Sequence, residues 1–180
     1  MKDEKGDIVL IYLYVDDLII TDDAIDLIKE IKQQMSQMFE MKDLGELRYC
    51  LGLDIWRDSR QNFLSLGKYV ISLQEIFRMD QCKATTVPLQ QNIKLRSEDG
   101  PKEADASLYR HLVGRLIYLT TTRPDLAYPV SVLSQYMSKL LESHWNETKG
   151  VLRYLQETVY YGIIYTNSYD VRLTGFTDSD

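Results

Sequence analysis

An α+β fold follows from the way hydrophobic periodicity changes along the 180 residues. β-branched and aromatic runs with a strand period fill much of the first third, whereas helical spacing dominates from Ser107 to about Thr158. Short strand signals then return at Gly162 to Thr166 and Val171 to Thr177. Strands grouped first, helices grouped next and a few strands at the end do not alternate as a parallel α/β fold would.

The elements follow in order. Ile8-Val9-Leu10-Ile11-Tyr12-Leu13-Tyr14 has the composition of a strand covered on both faces. Val15-Asp16-Asp17 and then Leu18-Ile19-Ile20-Thr21 complete a strand, acidic tip, strand pattern, which is a hairpin. A helix is expected from an N-cap at Asp22 or Asp23 to about Phe39, with Ile25, Ile28, Ile31, Met35 and Met38 at helical spacing. Leu47, Tyr49, Leu51, Leu53 and Ile55 alternate with polar residues and predict one strand. Asp58 to Gln61 turns the chain into a partner strand at Asn62 to Leu66, and a helix is predicted from Lys68 to Met79. The polar stretch from Gln81 to Ala106, with Pro88 and Pro101, reads as a linker. Three helices are then expected, from Ser107 to Thr122, Asp125 to Leu141, and Ser143 to about Thr158. The sequence stops at Asp178-Ser179-Asp180 on a strand with no partner after it, so truncation is the expectation.

A hydrophobic share of 44% is ordinary for a globular core, and the formal charge of -6 weighs against a nucleic-acid binder, since phosphates are held by Lys and Arg. One basic stripe is nevertheless enough for such binding, and a carboxylate cluster pulls the total the other way. Two cysteines, Cys50 and Cys82, without zinc-ligand spacing fit a reducing compartment. His111 and His144 are far apart and do not suggest a metal site. There is no signal-peptide core after Met1, and the run from Ile8 to Val15 is well short of the roughly 20 residues of a membrane helix. An intracellular protein, cytoplasmic or nuclear rather than secreted, and without a membrane partner is expected.

The chemistry lies in Tyr14-Val15-Asp16-Asp17. A tight turn that uses Asp for its backbone tolerance is one reading. The other is a metal site, because adjacent carboxylates between strands this apolar repel one another unless a cation neutralises them. Mg²⁺ is the natural cation, taking one or two carboxylates together with substrate phosphates, and a pair of such ions supports phosphoryl transfer.

Leu13-Tyr14-Val15-Asp16-Asp17-Leu18-Ile19-Ile20-Thr21 resembles the palm hairpin of copia-type retrotransposon reverse transcriptases. Further blocks resemble the family in the same order: Phe39 to Leu47 after the palm helix, Leu51-Gly52-Leu53-Asp54-Ile55 at the primer grip, Tyr109 to Gly114 and Thr122 to Tyr128 in the thumb. His144-Trp145 with Val151 to Leu155 is similar to the connection, and Gly175 to Asp180 to the first RNase H strand. The resemblance implies a partial palm over 1–80, a linker over 81–106, thumb-like helices over 107–142, and connection plus RNase H start over 143–180. It implies Asp16 and Asp17 as catalytic metal ligands for Mg²⁺, with two ions in the complete enzyme, and Asp178 as an orphan RNase H ligand. Tyr14 and Val15 would lie near the primer terminus, and Leu51 and Gly52 would hold the primer. Arg110, Gly114 and Tyr118, one stripe of a helix, would track the template–primer; helix–helix packing around Gly114 is the competing reading. Lys42 is either a general acid for pyrophosphate or a solvated loop lysine. Implied partners are an RNA/DNA template–primer, a dNTP and the remainder of the polyprotein.

The departures from the family pattern carry their own expectations. A further carboxylate strand, the fingers and the nucleotide-binding residues belong upstream of the hairpin in the family, where this sequence has only Met1 to Asp7. The chain alone is therefore expected not to polymerise DNA, and an exposed apolar edge on the hairpin is expected to favour self-association. Leu66-Gly67 replaces the Gln usual before Lys68-Tyr69, and Gln156-Glu157-Thr158 replaces a Lys-Gly-Thr-like turn. Against the polymerase reading stand a non-catalytic remnant with weak template–primer binding and a different palm-type enzyme such as a cyclase.

Overall fold

The computed structural model describes residues 9–21, 24–89, 105–138 and 140–166. The strand expected at Val171 to Thr177, Asp178, and the expected caps Asp22 and Asp23 lie outside the described residues. Helix and antiparallel sheet occur together, so the α+β class holds. The chain divides into two compact units, Met1–Leu47 and Arg48–Asp180.

In the first unit, β1 (Leu10–Tyr14) and β2 (Asp17–Thr21) form an antiparallel two-stranded ribbon with Tyr14 opposite Asp17. The expected strand and acidic tip are present, but the expected burial is not: every residue of β1 is exposed. Among the described residues the ribbon has no third strand to cover it, which leaves Leu10, Tyr12 and Leu13 in solvent. Helix α1 (Ile25–Met38) begins from Ala24, which offers no side-chain cap, and buries none of its residues fully. Its half-buried stripe is Leu27, Ile28, Ile31 and Met35, while the expected Ile25 and Met38 are exposed. Lys32 reaches the following loop with a 3.0 Å ion pair to Asp43, whose carboxylate also accepts from the Gly45 amide at 2.9 Å. That amide and Lys32 hold the Asp43 carboxyl below its ordinary range.

The second unit carries a four-stranded antiparallel sheet in the order β3-β4-β5-β6, formed by Tyr49–Cys50, Leu53–Arg57, Gln61–Ser65 and Gly162–Thr166. The single strand expected from Leu47 to Ile55 is thus two strands, reversed at Leu51-Gly52, where φ is 51° and 83°. Positive φ at both positions is the signature of a type I′ hairpin turn, and Gly52 is the residue that supplies it freely. Strand β6 adds to the free edge of β5 from about a hundred residues away, with Gly162 opposite Ser65. A Cβ at Gly162 would lie 2.1 Å from the Leu64 carbonyl oxygen, so only glycine fits this crossing.

Helices cover this unit's core. Helix α2 (Gly67–Ile76) stops earlier than the expected Met79 because Arg78 turns left-handed at φ 55°. The Met79 and Arg78 amides then bond back to Gln74 and Glu75, a Schellman closure without glycine. Helix α3 (Ala106–Leu119) is capped by Asp105, whose side chain accepts from the Ser107 and Leu108 amides. After a single 3₁₀ turn at Pro124–Leu126, α4 (Ala127–Ser134) ends well before the expected Leu141. Three successive i→i−3 bonds, at Gln135, Tyr136 and Met137, tighten and end it, and extended Leu141 then opens α5 (Glu142–Glu157). Leu73, Tyr109, Leu112, Leu116, Leu133 and Leu152 are fully buried members of one cluster. Tyr109 stays satisfied there by donating to the Leu133 carbonyl at 2.6 Å, and burial pushes its hydroxyl up to about 12. Residues of the expected linker also pack on this unit: the Thr85 amide donates to the Arg153 carbonyl at 3.3 Å.

Candidate functional site

The acidic tip is a two-residue turn, Val15-Asp16, between β1 and β2. Val15 has φ 51° and Asp16 is not in the positive region, the sign pattern of a type II′ turn, which favours glycine where Val15 stands. A β-branched residue there is a real outlier, and strain of this kind concentrates at functional positions. The turn leaves Tyr14, Val15, Asp16 and Asp17 all exposed around the tip. Adjacent aspartates are hard oxygen donors of the kind Mg²⁺ takes one or two at a time, so the donor chemistry fits. Among the described residues no group of three or more His, Cys, Asp or Glu side chains could hold a metal ion. Lys42 lies in the same unit, exposed on irregular backbone, next to the Asp43 that Lys32 pairs.

A second cluster belongs to the other unit. The Tyr118 hydroxyl of α3 donates to the Leu51 carbonyl and lies over Gly52, bringing together three residues that the sequence assigned to primer and template. Gly114 and Arg110, one and two turns earlier on that helix, are exposed. Arg110 folds back to its own helix, donating to the Ala106 carbonyl at 2.9 Å. Nothing lies within 4 Å of a Cβ built on Gly114, which overturns helix–helix packing as its role among the described residues. At the foot of the Leu51-Gly52 turn, Lys68 bonds Asp54 at 2.7 Å and lies 4.7 Å from the Tyr49 ring centroid. The Asp54 bond raises the Lys68 ammonium above its ordinary range.

Sequence reasoning missed this Lys68 arrangement, and it missed a buried polar network on the far end of α5. Arg123, 1% exposed, pairs both oxygens of Asp125 at 3.0 and 2.7 Å and donates to the Thr158 carbonyl and hydroxyl, each at 2.8 Å. The Tyr154 hydroxyl adds a 2.9 Å bond to Asp125. Burial pushes the Asp125 carboxyl up, but Arg123 and Tyr154 together outweigh it and leave it below the usual range. A cleft of about 420 Å³ opens beside this network, lined also by Phe63, Tyr160 and Tyr161. Its charged groups are matched to each other, so it is a structural joint. An Arg and an Asp flanking Pro124 were the one signal available in sequence.

The family model described as "Reverse transcriptase (RNA-dependent DNA polymerase)" matches residues 1–91, half of the chain, and the chain belongs to that family. It is 37% identical over 173 residues to the Retrovirus-related Pol polyprotein from transposon RE2 of Arabidopsis thaliana, covering 96% of this chain and 12% of that polyprotein. The corresponding polyprotein from transposon TNT 1-94 of Nicotiana tabacum is 34% identical over 185 residues, 98% of this chain and 14% of its own length. An uncharacterized mitochondrial protein of Arabidopsis thaliana is 36% identical over 93% of this chain and 70% of its own. The expected kinship with copia-type retrotransposon polyproteins is therefore borne out, and the chain spans about an eighth of the polyproteins it matches. No solved structure matches it. No helix among the described residues is long and apolar enough to cross a membrane.

Proposed function

We propose that the chain supplies the catalytic hairpin and the primer-holding and thumb elements of a retrotransposon RNA-directed DNA polymerase. The observation that carries this reading is the strained two-residue turn that exposes Asp16 and Asp17 at a hairpin tip, in a chain of the reverse transcriptase family. Asp16 is the principal Mg²⁺ ligand, Asp17 its neighbour, and Tyr14 and Val15 border the primer terminus. Bound Mg²⁺ supplies the activation of a primer 3′-hydroxyl and the stabilisation of the pyrophosphate leaving group. Leu51 and Gly52 hold the primer strand, the open face at Arg110 and Gly114 lies along the template–primer, and Lys42 is offered as a proton donor to pyrophosphate. Polymerisation belongs to the longer polyprotein, which brings the remaining carboxylate and the dNTP pocket. The chain by itself is a template–primer binder, a reading favoured by the helix face at Gly114, which is unobstructed among the described residues.

The test is primer extension on an RNA template with Mg²⁺. Grafted in place of the corresponding segment of a related Pol polyprotein, the chain should support extension that Asp16→Asn lowers by at least about a hundredfold. Equal extension by the Asp16→Asn graft would remove the metal role from the hairpin. Extension by the isolated chain, lost in Asp16→Asn, would show instead that the chain holds a whole site.

A further inference from the structure

The Leu51-Gly52 turn is built against its own sequence. Type I′ turns favour Asn, Asp or Gly at the first position, and Leu51 stands there at φ 51°. Left-handed backbone at such a residue persists where surrounding contacts over-determine it. Those contacts come from the helices. The Tyr118 hydroxyl, near the end of α3, donates to the Leu51 carbonyl across 67 residues of sequence. A Cβ on Gly52 would come within 3.2 Å of that same oxygen, so Tyr118 lies directly over the turn. Its ring is met edge-on by Tyr69 of α2, with centroids 5.0 Å apart, and the Tyr69 hydroxyl bonds the Arg115 carbonyl of α3 at 3.4 Å.

We propose that Tyr118 is a positioning residue that locks the primer-holding turn to the α3 face, so that turn and helix present themselves to the template–primer as one body. This rests on the assignment of Leu51 and Gly52 to primer binding made above, and it changes the role of Tyr118 from touching nucleic acid to fixing the group that does. Glycine at position 52 then has a second reason beyond its φ: it leaves room for the tyrosine oxygen.

Hydrogen exchange on the whole 180-residue chain tests the lock without any activity. Tyr118→Phe keeps the ring and removes the bond, so amides of residues 50–54 should exchange roughly five- to tenfold faster while the helical core is unchanged. Gly52→Ala should disturb the turn more in the native background than in Tyr118→Phe, because the oxygen it crowds is then gone. In the grafted polymerase, Tyr118→Phe should slow extension severalfold with template–primer affinity within about twofold. Unchanged exchange at the turn overturns the lock, and unchanged exchange with weakened affinity makes Tyr118 a nucleic-acid contact. Faster exchange with unaltered extension overturns its part in the reaction. Extension that survives Asp16→Asn counts against the polymerase reading and leaves the exchange result to be judged on its own.

Discussion

Both hairpins that close on two residues put a branched aliphatic side chain at φ 51°, Val15 in one and Leu51 in the other. What holds them differs. The Leu51 turn receives the Tyr118 hydroxyl and belongs to a unit with a continuous buried cluster from Leu66 to Leu155. Val15 is 79% exposed, its strand β1 is exposed throughout, and α1 of the same unit buries no side chain fully. The same local strain is offset by tertiary contacts in one hairpin and not, among the described residues, in the other. Under the proposed function, the surface that holds the primer carries its own geometry, whereas the carboxylate tip takes its final geometry from what it binds.

The largest effect should separate the two units. Leu116 is fully buried and Leu13 is 68% exposed. Leu116→Ala should cost roughly 3 kcal/mol in denaturant unfolding, through lost burial and a cavity. Leu13→Ala should change the same transition by less than about 0.5 kcal/mol, as isolated surface substitutions do. Comparable losses would mean that the ribbon is covered in the folded protein and that the two hairpins are held alike.

A second contrast lies between two depressed carboxylates, Asp125 and Asp43. Removing Asp125 in Asp125→Ala leaves Arg123 buried with its charge unmatched, which should cost roughly 3 kcal/mol. Asp43 pairs Lys32 in solvent and its loss should be hard to detect. The pH dependence has a definite sign. Since the folded Asp125 carboxyl lies below its unfolded range, its contribution is complete above about pH 4 and is lost as pH falls through the lowered value. Unfolding midpoints measured across the acid range should therefore fall less steeply in Asp125→Asn than in the native chain. Parallel acid profiles would remove Asp125 as a source of stability.

Sequence showed the β1–β2 hairpin well because its apolar runs bracket two aspartates, and the tip is where the pattern placed it. It missed the β3–β4 hairpin for a geometric reason. A reversal of two residues keeps the alternation of Tyr49, Leu51, Leu53 and Ile55 intact, so period alone cannot tell one strand from two. The addition of β6 to β5 was equally invisible, being a pairing across about a hundred residues, and α4 ended early through i→i−3 bonds with no Gly or Pro to mark the stop. At the site, helical spacing put Arg110, Gly114 and Tyr118 on one exposed stripe, but only the fold could show Tyr118 turned to Leu51. The burial of Arg123 ran against the usual exposure of arginine and had no signal in composition.

The smallest effects probe the strain itself. Glycine at a left-handed position removes a Cβ clash of about 1–2 kcal/mol and adds about 0.5–1 kcal/mol of unfolded-chain entropy, so the net gain is near 0.5 kcal/mol. Val15→Gly gives up little packing, because the side chain is mostly in solvent, and should slow amide exchange across residues 10–21 slightly. Leu51→Gly gives up the part of its side chain that is covered, Leu51 being 40% exposed, but keeps the backbone carbonyl that accepts from Tyr118. Its gain and loss should cancel, leaving exchange at residues 50–54 close to native. A looser ribbon in Val15→Gly would show that the valine side chain is packed in the folded protein. A looser turn in Leu51→Gly would shift the hold on that hairpin from the Tyr118 hydroxyl to the leucine side chain, and the two turns would then differ in packing rather than in hydrogen bonding.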